Sequence, residues 1–197
     1  MKIKGQVITL SDEPRDSSTD TFFRWFNLEE WQYYDRPDQP FQPVSREEFD
    51  QRAKKNEERF NKNKKDQARP LSGLHIDTLD GQYIGWVSNY NWDPEGKSAF
   101  IGICIPEEEH WGKGYGTEAV RLYLDYLFDS CGLQTIQAAT WTGNKGMVRC
   151  AQKAGFTNCE LMPHRSPESV RGEPLERIEF TLTREEWSSN RDSSEVP

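Results

Sequence analysis

The chain has 197 residues and carries 33 acidic against 25 basic side chains, for a net charge of −8. That balance argues against nucleic acid as the main partner, and no run of 18 apolar residues exists to cross a membrane. Only 34% of the residues are apolar, but seven Trp, seven Tyr and ten Phe bring large buried areas, so one domain with a sizeable core is expected.

The segment Met1 to Gln6 has no apolar signal core. Cys104, Cys131, Cys150 and Cys159 show no Cys-x-x-Cys spacing and read as buried, reduced thiols, so a cytoplasmic protein is expected. No zinc or other metal is expected, because His75, His110 and His164 do not pair with them at ligand spacing.

Gln6 to Leu10 reads as a first strand and Thr19 to Glu30 as one helix crowded with Phe22, Phe23, Trp25 and Phe26. A Pro-rich loop runs to Pro43, and Ser45-Arg46-Glu47-Glu48 is a capping box that opens a helix to about Asn61. The basic run Lys54, Lys55, Arg59, Lys62, Lys64 and Lys65 is either a solvated face or a docking patch. Leu71 to Leu79 and Tyr83 to Tyr90 form a hairpin about Asp80-Gly81. The turn Asn91 to Lys97 leads to a buried strand ending at Ile105.

The most informative stretch follows: His110-Trp111-Gly112-Lys113-Gly114-Tyr115-Gly116-Thr117, then an amphipathic helix over Glu118 to Ser130 with Gly132 as its cap. Strand, glycine loop and helix N-terminus together make an anion site, because bare backbone N–H groups and the helix dipole converge there. The spacing is neither a Walker loop nor a dinucleotide fingerprint. Thr135 to Trp141 is the next strand, and a short helix follows Asn144 and ends at Gly155. Phe156 to Leu161 and Arg177 to Leu182 pair as antiparallel strands across a polar loop, Pro163 to Pro174. Residues 1–187 are expected to form the domain and 188–197 a flexible tail. The order of elements predicts an α+β fold around one twisted mixed sheet.

Trp111-Gly112-Lys113-Gly114-Tyr115-Gly116-Thr117-Glu118-Ala119 resembles the acetyl-CoA pyrophosphate loop of the GNAT N-acetyltransferase superfamily, with Trp111 in the Gln/Arg place as in the branch of the ribosomal-protein and spermidine acetyltransferases. Asn144 through Lys153-Ala154-Gly155-Phe156 resembles the second signature of the family. The resemblance covers roughly residues 5 to 185 and is strongest from Ile101 to Phe156. It implies acetyl transfer from acetyl-CoA directly to a primary amine: a small amine, a polyamine or a protein N-terminus. It also implies a central sheet splayed between the strands ending at Ile105 and Trp141, in a monomer or homodimer.

On this resemblance the cofactor residues are Ile103, Cys104, Ile105, Trp111, Gly112, Lys113, Gly114, Tyr115, Gly116, Thr117 and Asn144. The loop acts through backbone N–H groups, and Gly114 and Gly116 are glycine because a side chain would block close approach. Lys113 either touches a phosphate or points to solvent, and Asn144 either contacts the cofactor arm, caps the helix, or does both. The family's catalytic tyrosine and serine are absent, with Ala151 and Met147 in their places, and no glutamate stands near Phe100. The candidates for catalysis are Glu30, Tyr34 and Asp93, with Asp35 and His164 behind them. The acceptor cleft is expected between Trp25 to Arg36, the Asn91 to Lys97 turn and the Pro163 to Pro174 loop, in an acidic setting that favours a cation. Glu107-Glu108-Glu109 reads as a solvated turn. The competing function is a non-catalytic acyl-CoA-sensing domain.

Overall fold

A computed structural model describes residues 1–13, 15, 19–64 and 70–194; the side chains of 57, 59–64 and 192–194 are outside it. Eight strands form one sheet: β1 (Lys2–Lys4), β2 (Ile8–Ser11), β3 (Gly73–Thr78), β4 (Tyr83–Asp93), β5 (Ser98–Cys104), β6 (Thr135–Trp141), β7 (Asn158–Glu168) and β8 (Pro174–Thr183). Their spatial order is β1-β2-β3-β4-β5-β6-β8-β7. Every neighbouring pair is antiparallel except β5 and β6. The sheet is therefore mixed, as the order of elements predicts.

Helices cover the two faces. On one side lie α4 (Tyr115–Asp125), the π-helical continuation Tyr126–Ser130, and α5 (Lys145–Ala154). Val120, Tyr123, Leu124 and Leu127 of this layer meet Ile101, Ile136, Ala138 and Phe180 of the sheet in the main core. On the other side lie α1 (Asp20–Phe26), α2 (Glu29–Asp35) and α3 (Arg46–Lys64). Trp25 is fully buried there against Tyr83 and Trp86. The basic run predicted on α3 lies largely outside the described side chains.

Several boundaries differ from the expectations. The helix expected over Thr19 to Glu30 breaks at Asn27, whose amide bonds the Phe23 and Val44 backbone and so competes with the helical ladder. The loop expected from Pro163 to Pro174 is mostly strand, because β7 runs to Glu168 on the outer edge of the sheet, where proline is tolerated. The tail expected from Ser188 is helical as far as Ser194: α6 (Arg184–Ser194) is capped by Thr183 and Glu186 and seats Trp187 on Phe128. The helix over Glu118 to Ser130 starts earlier, at Tyr115. A short strand at Lys2–Lys4 adds an edge that the sequence pattern does not signal.

Beyond the core packing of Ile8 and Leu10, the Glu118 side chain ties the N-terminal hairpin to α4. The Glu118 carboxylate accepts from the backbone N–H of Gln6 at 2.6 Å, Val7 at 2.8 Å and Ile8 at 2.9 Å. An anionic acceptor for three donors is a strong anchor, and Glu118 sits in the first turn of α4, where negative charge also suits the helix dipole.

Candidate active site

The sheet opens where the sequence places the motif. β5 and β6 pair in register from Ser98 with Thr135 to Ile101 with Ala138, and no further. Beyond that point β5 continues to Cys104 and β6 to Trp141 without pairing to each other, so the backbone edge past Ile101 faces a gap. On its other side β5 stays bonded to β4 as far as Trp86 opposite Cys104. The Cys104 carbonyl would lie 2.1 Å from a Cβ at position 85, so only glycine lets β4 approach this closely.

The glycine loop stands at the mouth of that gap. Gly112 has φ of 73° and Gly114 of 87°, the left-handed region, and Gly114 is the N-cap of α4. A Cβ at either would meet no atom within 4 Å, so the protein leaves the space over the loop open and backbone conformation alone demands glycine. Gly116 is different. It is helical, and a Cβ there would make ordinary contacts with Ile103, Cys150 and Ile105 at 3.6–3.8 Å. The backbone N–H groups of Tyr115, Gly116 and Thr117 have no acceptor among the described residues; the first bond back into the loop is Glu118 N–H to the Gly114 carbonyl at 3.0 Å. Free donors at a helix N-terminus under open space fit a diphosphate.

Other candidate cofactor residues divide. The Trp111 indole donates to the Ile105 carbonyl at 2.6 Å, so that acceptor is already occupied. Asn144 caps α5, accepting from Met147 N–H at 3.0 Å. Lys113 is exposed. Burial pushes the Cys104 thiol well above its usual range and the Cys150 thiol up to about 11, so neither is a thiolate near neutrality. All four cysteines are free, but Cys104, Cys131 and Cys150 are half-buried and Cys159 is exposed, where buried thiols were expected.

Tyr34 lies between the loop and the end of β6. Its ring centroid is 5.7 Å from that of Trp111 and 6.4 Å from that of Trp141, and the Trp141 indole donates to the Tyr34 carbonyl at 3.1 Å. Burial, reinforced by the charge of Glu30, raises its phenol above the ordinary value. The hydroxyl therefore stays protonated and can donate, not abstract.

The other two catalytic candidates are not brought to the opening as bases. Glu30 is held by Arg171 at 2.7 Å, and that hydrogen bond lowers its carboxyl below the usual value. A carboxylate committed in this way is a poor proton acceptor. Asp93 stands opposite Ser98 at the far end of β5, six residues before Cys104, about 20 Å along the strand. Its carboxylate caps the turn, accepting from Glu95 N–H at 3.0 Å. The Asn91 to Lys97 turn is thus at the wrong end of the sheet to wall the opening. His164 folds back onto Ser166 of its own strand.

Strand alternation gathers groups that motif reading missed. Trp86, Tyr90, Phe100, Gln137, Trp141, Arg177 and Glu179 share the sheet face opposite α4. Tyr90 and Phe100 stack at 5.6 Å. Burial raises the Tyr90 phenol, which also feels the charges of Arg177, Asp35 and Glu179. The only available signal was the period-two pattern of β8, which places Arg177 and Glu179 on one face.

Nor is the triple glutamate simply solvated. Glu107 pairs with Arg24, while Glu108 and Glu109 are exposed. Glu107, Glu109 and the buried His110 bring ligand-type atoms within 4.8 Å of one another, the one such group among the described residues. Gln82 also reaches His110.

Sheet, opening and loop together define an acetyltransferase domain. The sequence profile of the acetyltransferase (GNAT) domain matches residues 12–157, and the chain belongs to that family. The fold is shared with a GNAT-family acetyltransferase from Bacillus anthracis, at 17% identity and a TM-score of 0.71 over 94% of this chain and 99% of that one. It is also shared with spermidine N-acetyltransferase from Vibrio cholerae, solved with CoA and spermine, at 21% identity and 0.67 over 92% and 98%. In sequence, the Bacillus subtilis protein named "Probable N-acetyltransferase YjcK" is 45% identical over 60 residues, 30% of this chain and 33% of that protein. Aminoglycoside N(6')-acetyltransferase type 1 of Klebsiella pneumoniae is 30% identical over 92 residues, 42% and 46% of the two chains. The chain spans a third to about half the length of the curated relatives it matches. No helix of the described residues is long and apolar enough to cross a membrane.

Proposed function

We propose that the protein is an N-acetyltransferase that moves an acetyl group from acetyl-CoA directly to a primary amine. One observation carries the reading: a helix N-terminus with three free N–H donors stands at the mouth of a gap between two parallel strands. The residues from Gly112 to Thr117 hold the diphosphate of the cosubstrate through backbone N–H groups. The unpaired edge of β5 at Ile103 and Cys104 runs beside its amide-bearing arm, and the Asn144 amide, still holding its cap, faces the same arm. Acetyl-CoA supplies an activated acetyl thioester.

The chain then manages protons. The acceptor reaches the gap from the face that carries Trp141, and one proton leaves it to solvent along the groove past Asp35. A C–N bond forms, the nitrogen gives up its second proton to solvent as the C–S bond breaks, and Tyr34 donates to the departing sulfur before it is reprotonated by solvent. Tyr34 suits this because its raised phenol is protonated throughout the neutral range. We assign Glu30 and Asp93 no part in the chemistry. No metal is needed for this scheme.

Four free thiols support a reducing, cytoplasmic setting. The acidic surface does not favour nucleic acid, and we propose a monomer or homodimer. The domain, first bounded at residue 187, extends with α6 to Ser194. A second reading, an acyl-CoA-binding domain without catalysis, is favoured by Ala151, fully buried at the position where the resembled family pattern has its tyrosine.

Release of CoA thiol from acetyl-CoA across a panel of amines separates the two. Turnover that rises with pH as the amine loses its proton is expected. Binding of CoA without thiol release for any amine would establish the sensor instead.

A further inference from the structure

The groove outside Trp141 is built for charge balance. Asp35, Arg36, Asp38, His164, Arg165 and Arg177 line a cavity of about 560 Å³ between the end of α2 and β7. Each carboxylate at its walls has a guanidinium partner. Asp38 is bonded to Arg165 at 2.6 Å and Asp35 to Arg36 at 3.3 Å; Glu179, which does not line the groove, is bonded to the lining residue Arg177 at 2.9 Å. Just outside, Glu30 is taken by Arg171. The chain as a whole is strongly acidic, but this cleft is not.

A polyamine would bring several ammonium groups, each needing a carboxylate of its own on leaving water. The groove has none to spare. An acceptor with one positive and one negative charge has no such deficit.

Arg177 is placed to read one, with Glu179 as its support. They stand two residues apart on β8, opposite Trp141 and Ala139 on the edge strand of the opening. Glu179 is held by Arg177 on one oxygen and by the Gln137 amide at 3.2 Å on the other, with its side chain 17% exposed. That grip fixes its position. Arg177 spends one of its five N–H donors on Glu179, and its side chain, 42% exposed, lines the groove. A planar guanidinium with donors to spare is suited to a carboxylate.

Resting on the acetyltransferase reading, we propose that the acceptor is a small amine bearing its own carboxylate, which Arg177 holds while Glu179 fixes the guanidinium in place. Arg177 sits on β8, one strand from the gap, on the same face of the sheet as Trp141. This reading makes Arg177 a specificity determinant and separates this chain from polyamine acetyltransferases of the same fold.

The test measures CoA thiol release by the full chain with acetyl-CoA. The acceptors are the amino acids, their carboxamides, the corresponding decarboxylated amines, and spermidine. The best acceptor is expected to carry a carboxylate, with its carboxamide lower in kcat/KM by about tenfold or more. Arg177→Gln should erase that preference while the KM for acetyl-CoA holds, and Arg177→Lys should restore part of it. Spermidine or a plain alkylamine turning over as well as the carboxylate-bearing amines would overturn the role of Arg177 and leave acetyl transfer standing. So would an acid-to-amide preference that Arg177→Gln does not change. CoA binding with no thiol release from any amine would overturn both readings.

Discussion

The glycine loop and the acceptor groove solve opposite problems. The loop from Gly112 to Thr117 is contiguous in sequence and works through backbone donors, so its side chains matter mainly by their absence. The groove is assembled from the end of α2 and from β7 and β8, more than a hundred residues later in the chain, and works through side chains matched in charge. A local backbone device can serve a constant ligand, whereas a groove of side chains can change partner without disturbing it. The cosubstrate end and the acceptor end of the site should therefore fail separately.

The sharpest way to break this contrast is at the loop. Gly114→Val places a β-branched residue at φ of 87°, strained whatever the space around it. We expect CoA affinity to fall by about two orders of magnitude or more, measured by calorimetry, with circular dichroism of the parent retained. Binding at parental strength would mean that the diphosphate lies elsewhere.

Tyr34 tests whether the two ends meet. Tyr34→Phe keeps the ring against Trp111 and Trp141 but removes the hydroxyl. If that hydroxyl donates to the leaving sulfur, kcat should drop about 10- to 100-fold with both KM values little changed. A change in acceptor KM alone would make Tyr34 a wall of the groove and nothing more.

The smallest effects belong to the candidates that the fold sets aside. Asp93→Asn should leave kcat and its pH profile unaltered, because the turn is at the far end of β5. Glu30→Gln should also leave the pH profile in place, but remove a partner of Arg171. The folded carboxyl of Glu30 is depressed, so its contribution to stability is present above its ordinary value of 4.5 and is lost as pH falls through the folded value. At 34% side-chain exposure the pair is screened, and about 0.5 kcal/mol at neutral pH is the scale. Thermal melts of the two proteins should converge in acid. A shifted pH–rate profile in either variant would return that carboxylate to the chemistry.

What the sequence made legible was local. Glycine spacing located the loop, alternation placed the strand Thr135 to Trp141 without error, and Asn144 declared its cap. The splay between β5 and β6 followed from the resemblance, since no residue marks where pairing stops. The groove was not legible because its members share a face only after β6, β8 and β7 take their order in the sheet. Arg177 and Glu179 looked like the polar half of an ordinary strand. Pro163 misled because a proline reads as a breaker until the strand is known to be an edge. The cap at Thr183-x-x-Glu186 was visible in principle; the polar composition after Ser188 outweighed it.

The three bonds that Glu118 accepts from Gln6, Val7 and Ile8 give the site a history in time as well as a place in space. More than a hundred residues separate donors from acceptor, and closing so long a loop is among the slower events of folding. During synthesis the N-terminal hairpin waits through β3, β4 and β5 for the helix that will hold it. The first turn of α4, which presents the free N–H groups, is therefore braced by residues made more than a hundred positions before it. Trimming the chain before Ile8 would remove little of the core, yet it would loosen the one helix end on which the diphosphate rests.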